Sequence, residues 1–303
     1  MSRMTAALER AGHAAAHSEQ GAIPWVFESD TTSARPVAPQ TRTPPAPASS
    51  EPAPKVKRPT LAPAIAAPEA LATTAGFEKL VLSPDLPSYV VEQYRRLGAT
   101  LHAAQRDQGI RIVMITSAVP SEGKTLVASN LALVLSTSYR RSVLLIDGDL
   151  RRPSVHTVFG LANKTGIADR LDEGTADTMV PIQVTPMLSL LLAGTPQSDP
   201  MRLVTGGGMQ RLLAAAAENY DWVILDTPPI AILPDANLLA SGVDRAVVVI
   251  EAGRTPYEAI QKAIDTIGPE RIIGTVLNRA DGASAAPYGE YSYSYGPSPN
   301  LEQ

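Results

Sequence analysis

The chain has 303 residues, 44% of them hydrophobic, with 26 basic against 30 acidic side chains and a formal net charge of −4. That suits one sizeable α/β domain with additional segments, and the mildly acidic balance offers no global field to draw in nucleic acid or anionic lipid. Cysteine is absent, which excludes disulfides and thiolate metal sites and fits a reducing compartment.

Residues 1–17 are expected to form a short helix, because Met1, Met4, Leu8 and Ala11 share one face at helical spacing. The same stretch lacks the continuous apolar core of a signal peptide, and no run in the chain approaches the roughly 20 apolar residues of a membrane span. A cytoplasmic placement is therefore expected, with any membrane association supplied by a partner. Residues 18–76 hold many of the chain's 27 prolines among Ala, Ser and Thr. This composition removes backbone donors and buries no core, so it reads as a disordered linker.

From residue 77 to 287 a folded domain is expected. Val90, Tyr94, Leu97 and Leu101 predict a helix over 88–105, with Ser88 as its N-cap. Strands are predicted at 110–116, 143–146, 188–192, 222–225, 246–250 and 272–277, with helices at 124–136, 200–218 and 256–267. Continuous apolar strands alternating with helices indicate an α/β fold, a parallel sheet with helices on both faces.

Four stretches carry chemistry. Residues 118–125, Ala-Val-Pro-Ser-Glu-Gly-Lys-Thr, match G-x-x-x-x-G-K-[ST] except that Ala118 replaces the first Gly. The match follows a strand and opens a helix, the context a P-loop needs. Ser121, Glu122 and Gly123 would supply the cradle, Lys124 would reach the β/γ-phosphates of ATP, and Thr125 would ligate Mg²⁺. Asp147 and Asp149, in Leu-Leu-Ile-Asp-Gly-Asp-Leu-Arg, and Asp226, in Val-Ile-Leu-Asp-Thr-Pro-Pro, follow apolar runs and so leave the sheet at its carboxyl edge, where open α/β sheets bind ligands. A lone Asp after a strand is usually a cap, but three beside a P-loop point to a metal–nucleotide site. Residues 288–303 form the fourth stretch: Tyr288, Tyr291, Tyr293 and Tyr295 stand in a polar Gly/Ser/Pro tail that offers their rings no core.

Taken together these motifs resemble the bacterial tyrosine kinases, P-loop autokinases of capsular and exopolysaccharide export. The family's Walker A, Walker A′ and Walker B motifs read here as Ala118–Thr125, Asp147-Gly-Asp149-Leu-Arg151 and Asp226-Thr-Pro-Pro229, and its tyrosine cluster as Tyr288–Tyr295. Leu192–Pro200 and the Gly274–Arg279 stretch containing Asn278 are similar as well. The resemblance implies an ATP- and Mg²⁺-dependent protein-tyrosine phosphotransferase that phosphorylates its own tail between subunits. In that reading Lys124, Asp147, Asp149 and Arg151 are catalytic, either Asp147 or Asp149 is the base, Asn278 joins the nucleotide site, and Thr125, Asp147 and Asp226 hold the metal. It also implies a membrane polysaccharide copolymerase as activator. One departure is Glu92-Gln-Tyr-Arg95-Arg-Leu-Gly98, where the family's oligomerisation motif ends in Arg. A partition-type P-loop ATPase switch would carry a signature Lys near the start of the loop, and residues 117–119 are Ser, Ala and Val. A scaffold using ATP only as glue would not need all three charged motifs.

Overall fold

The computed structural model describes residues 65–66, 77–172 and 179–280. The helix expected at 1–17 and the tyrosine tail at 288–303 lie outside the described residues.

Eight strands form one sheet in the order β1-β4-β5-β3-β6-β2-β7-β8. They are β1 (Ile65–Ala66), β2 (Ile112–Ser117), β3 (Val143–Asp147), β4 (Ile182–Thr185), β5 (Leu188–Leu191), β6 (Trp222–Asp226), β7 (Arg245–Glu251) and β8 (Ile272–Asn278). The helices are α1 (Ser88–Gln108), α2 (Lys124–Thr137), α3 (Val155–Val158), α4 (Ile167–Asp172), α5 (Met201–Thr205), α6 (Gly208–Asn219), α7 (Pro234–Ala240) and α8 (Tyr257–Ile267).

The central strands β2, β3 and β6 are buried along their whole length, which is why their sequences are continuous apolar runs rather than alternating ones. Successive residues then serve opposite faces. Met114, Ile146 and Leu225 face a core closed by α5 to α8, including Leu203, Leu212, Leu239 and Ile264. Ile115, Leu145 and Ile224 face a second core closed by α1 to α3, including Leu101, Leu131 and Val155. Helix α2, which begins at the P-loop lysine, is buried at every position from Val127 to Ser136. It lies between the sheet and α1, so the phosphate loop is anchored on one of the most enclosed elements of the fold.

Four expectations change. The sheet is not wholly parallel, because the short β4 runs antiparallel to β5; its half-exposed residues carried no strong strand pattern. Ile65–Ala66, within the segment read as linker, pairs with Ile182–Gln183 at the sheet edge. The single helix read over 200–218 is two, separated at Gly206 and Gly207, where Gly207 takes φ 75°. Ser88 is the first residue of α1 rather than its cap; Pro87 holds the cap position and no side chain caps the helix.

Candidate active site

The neighbours β3, β6 and β2 end together, and their exits build the site. Asp147 and Asp226 are cross-strand partners in the parallel register, so their backbones stand one strand spacing apart, roughly 4.8 Å, and both side chains leave at the same sheet edge. Gly148 makes this approach possible. Its N–H donates to the Asp226 carbonyl at 2.7 Å, and a Cβ there would sit 2.8 Å from that same oxygen.

The P-loop connects β2 to α2. Gly123 has φ 89° and no room for a side chain beside the Asn278 amide, so only glycine fits. Ser121 also takes a left-handed backbone, φ 69°. Directly after this turn, the Lys124 Nζ lies 3.1 Å from Asp149 Oδ2 and 3.9 Å from Asp226 Oδ1. The Thr125 hydroxyl donates to Asp226 Oδ2 at 2.6 Å and lies 2.8 Å from the Ser154 hydroxyl. Asp147 Oδ2 accepts the backbone N–H groups of Ser154 and Val155, both at 3.0 Å. Asp149 Oδ1 accepts from Arg152 N at 3.0 Å.

Lys124, Thr125, Asp147, Asp149 and Asp226 therefore converge. Arg151 does not join them. Its guanidinium is held by the buried Asp235, with Nε to Oδ2 at 2.5 Å and Nη2 to Oδ1 at 3.1 Å, and by the Ser198 carbonyl; the Asp235 bond raises its pKa further. The Glu122 side chain is also directed elsewhere, bonding Val119 N and the end of β7. Asn278 donates through Nδ2 to the Glu122 carbonyl at 2.8 Å and so props the loop from β8. Ser154 and Asp235 were not legible as site residues, since their roles depend on which strand ends are neighbours.

Three carboxylates surround one ammonium, and electrostatics follows from that imbalance. Burial alone would lower the Lys124 pKa, but Asp226, Asp149 and Asp147 outweigh it and the net shift is upward. Asp147 is pushed up to about 8, first by burial and then by the Asp226 carboxylate. Asp226 is also raised, mainly by burial, against the opposing pull of Lys124 and the Thr125 hydroxyl. Asp147 Oδ1 and Asp226 Oδ1 are buried without a hydrogen-bond partner, a costly arrangement unless something else satisfies them. Hard oxygen donors with excess negative charge suit a divalent cation. Among the described residues no group of three or more His, Cys, Asp or Glu side chains is placed to hold a metal ion by itself. Mg²⁺ typically takes one or two carboxylates and completes its shell with water and substrate phosphates.

Comparison with known proteins gives the chain's relatives. No family model matches the chain. The tyrosine-protein kinase YwqD of Bacillus subtilis (strain 168) is 36% identical over 215 residues, covering 70% of this chain and 89% of YwqD. The tyrosine-protein kinase wzc of Salmonella typhimurium is 30% identical over 212 residues, covering 68% of this chain but 29% of wzc; this chain thus spans less than a third of that longer relative. Among solved structures, the kinase domain of the Escherichia coli tyrosine kinase ETK superposes with a TM-score of 0.55 at 30% identity, covering 66% of this chain and 80% of that one. The kinase domain of VpsO gives a TM-score of 0.54 at 30% identity, over 63% and 97% of the two chains.

Proposed function

Because the chain belongs to the bacterial tyrosine-protein kinase family, we propose that it transfers the γ-phosphoryl group of ATP to tyrosine hydroxyls. Its own Tyr288, Tyr291, Tyr293 and Tyr295 are the first acceptors, and the role served is control of capsular or exopolysaccharide polymerisation and export. The observation that carries this reading is the convergence of Lys124, Thr125, Asp149 and Asp226 behind Gly123. In phosphoryl transfer the protein mainly positions groups and neutralises developing charge. Lys124 clamps the phosphates, and the Gly123 backbone and the N-terminus of α2 receive them. Thr125 and Asp226, with Asp147 beside them, would hold Mg²⁺, which when bound neutralises phosphate charge.

Asp149 is favoured over Asp147 as the base that orients and deprotonates the tyrosine. Asp147 is fully enclosed and occupied in holding the start of α3, whereas Asp149 lies in the loop after β3 on the Lys124 ammonium. Arg151 reaches the reacting group only after leaving Asp235, and so serves the A′ loop's placement first. Among the described residues no helix is long and apolar enough to cross a membrane; the activator proposed is a membrane copolymerase. The transfer proposed is between copies of the chain.

Incubation with Mg²⁺ and ATP followed by phosphopeptide mapping tests this. Phosphate on the tail tyrosines, absent when Mg²⁺ is withheld, is the expected result. ATP hydrolysis with no phosphotyrosine, alone or with the copolymerase's cytoplasmic segment, would point instead to an ATPase switch.

A further inference from the structure

Glu122 sits inside the phosphate loop, is fully buried, and among the described residues forms no ion pair with Lys, Arg or His. Its acceptors are met by neutral donors from two places. Oε2 accepts from Val119 N at 2.8 Å, which closes the loop on itself. Oε1 accepts from Glu251 N at 3.1 Å and from the Thr255 hydroxyl. The Glu251 N–H is shared with Thr255 Oγ1 at 3.0 Å, so the last residue of β7 and the turn before α8 grip one carboxylate oxygen together. The Glu122 carbonyl is taken by Asn278.

The loop needs such a grip. Glu122 is flanked by Ser121 at φ 69° and Gly123 at φ 89°. A left-handed non-glycine residue persists only where its surroundings over-determine it. The turn that supplies the grip is itself fixed, because the Glu251 carboxylate binds Arg254 Nη1 and Arg279 Nη1, each at 3.0 Å, and Ala252 N donates to the Asn278 carbonyl at 2.9 Å. None of this touches the carboxylates around Lys124.

We propose that Thr255, outside all three nucleotide motifs, is a positioning residue for nucleotide binding: its hydroxyl, acting through Glu122, holds the P-loop backbone in the geometry that receives ATP phosphates. The inference rests on the reading of 118–125 as the ATP site. Losing the brace lets the loop relax from its strained turn, so that part of the phosphate binding energy is spent restoring it. The loss falls on nucleotide affinity; at saturating ATP the reacting groups around Lys124 are unchanged.

Thr255→Val keeps the shape and removes the hydroxyl, whereas Thr255→Ser keeps the hydroxyl. Mg·ADP binding by calorimetry, and KM for ATP and kcat for tail phosphorylation, are measured on the full chain beside a melting curve. Thr255→Val is expected to raise Kd and KM about tenfold, the scale of one lost hydrogen bond to a charged group, with kcat changed less than twofold and Thr255→Ser within about twofold of wild type throughout. Wild-type affinity in Thr255→Val overturns the proposal, as does equal impairment of the Ser variant, which would mean packing alone. Should Thr255→Val not melt cooperatively, Glu122→Gln decides. It places an amide where one accepting oxygen was, and unchanged Mg·ADP affinity again overturns the brace. If wild type itself binds no Mg·ADP, the nucleotide reading fails and the brace falls with it; binding by wild type with indifferent variants sinks the brace alone.

Discussion

Asp149 and Asp226 lie 3.1 and 3.9 Å from one ammonium, yet their surroundings separate their roles. Asp226 also accepts the Thr125 hydroxyl and keeps one oxygen unpartnered in a buried site, whereas Asp149 meets Lys124 and a backbone N–H. Asp226→Asn is therefore expected to weaken Mg·ADP binding by at least about tenfold, the cost scale of losing a charge-assisted contact. Asp149→Asn should leave Mg·ADP affinity within a few-fold while lowering tyrosine phosphorylation by about 10²-fold or more, the usual range for a lost general base. Calorimetry and phosphotyrosine quantification on both variants check this, and identical behaviour of the two would contradict the division of roles. Asp147 gives a pH signature. Its folded-state value, pushed up to about 8, stands above the 3.8 of a free Asp. The folded state thus holds a proton that the unfolded chain gives up between those values, so its contribution to stability is complete below about pH 4 and is lost as pH rises through about 8. Melting temperature of the nucleotide-free protein should decline across that window more steeply than in Asp147→Asn. Cation binding favours the ionised form, so Mg·ADP binding near neutral pH should release protons, seen as a dependence of the calorimetric enthalpy on buffer ionisation.

Helix α1 carries the departure at Gly98, and the packing accounts for it. Gly98 is buried mid-helix, and a Cβ there would lie 2.8 Å from Tyr139 Cε2 and 3.3 Å from Val134 Cγ1. The Tyr139 hydroxyl in turn donates to the Arg95 carbonyl at 2.8 Å, so this ring occupies the space a longer residue 98 would claim. The remaining Glu92–Arg95 pair is 3.6 Å apart with both side chains about half exposed and contributes little. Two effects oppose each other in Gly98→Ala. Helix propensity favours Ala by about 1 kcal/mol, while displacing Tyr139 sacrifices a hydrogen bond worth about 1 kcal/mol. Near-neutral stability is the expected outcome in the wild-type background. With Tyr139 already truncated to Ala, the same change should stabilise by about 1 kcal/mol, and a denaturation double-mutant cycle measures the difference. Equal effects in both backgrounds would show that the ring does not govern this position.

Across the whole molecule, what was legible in the sequence follows a physical division. The buried strands β2, β3, β6 and β7 announced themselves because burial on both faces demands unbroken apolar runs, and the P-loop and three Asp residues announced themselves because strand exits in such a sheet share one edge. The antiparallel β4 did not, since a short half-exposed edge strand has no strong pattern. The helix expected over 200–218 ran straight through Gly206-Gly207-Gly208, a run of poor helix propensity at which the structure divides α5 from α6. Arg151's tether to Asp235, Ser154's contact with Thr125 and the Thr255–Glu122 brace join residues 84, 29 and 133 positions apart, and local sequence carries no signal for contacts set by strand order. The central claim is that Lys124 and the carboxylates around it transfer phosphate to the chain's own tyrosines. It is tested most directly by quantifying tail phosphotyrosine in wild type and Lys124→Met under Mg·ATP, with melting curves to verify folding. Removing this clamp should cost several kcal/mol of transition-state stabilisation, so a folded variant with phosphotyrosine reduced by 10²-fold or more, roughly, is predicted; wild-type levels of phosphotyrosine in folded Lys124→Met would contradict it.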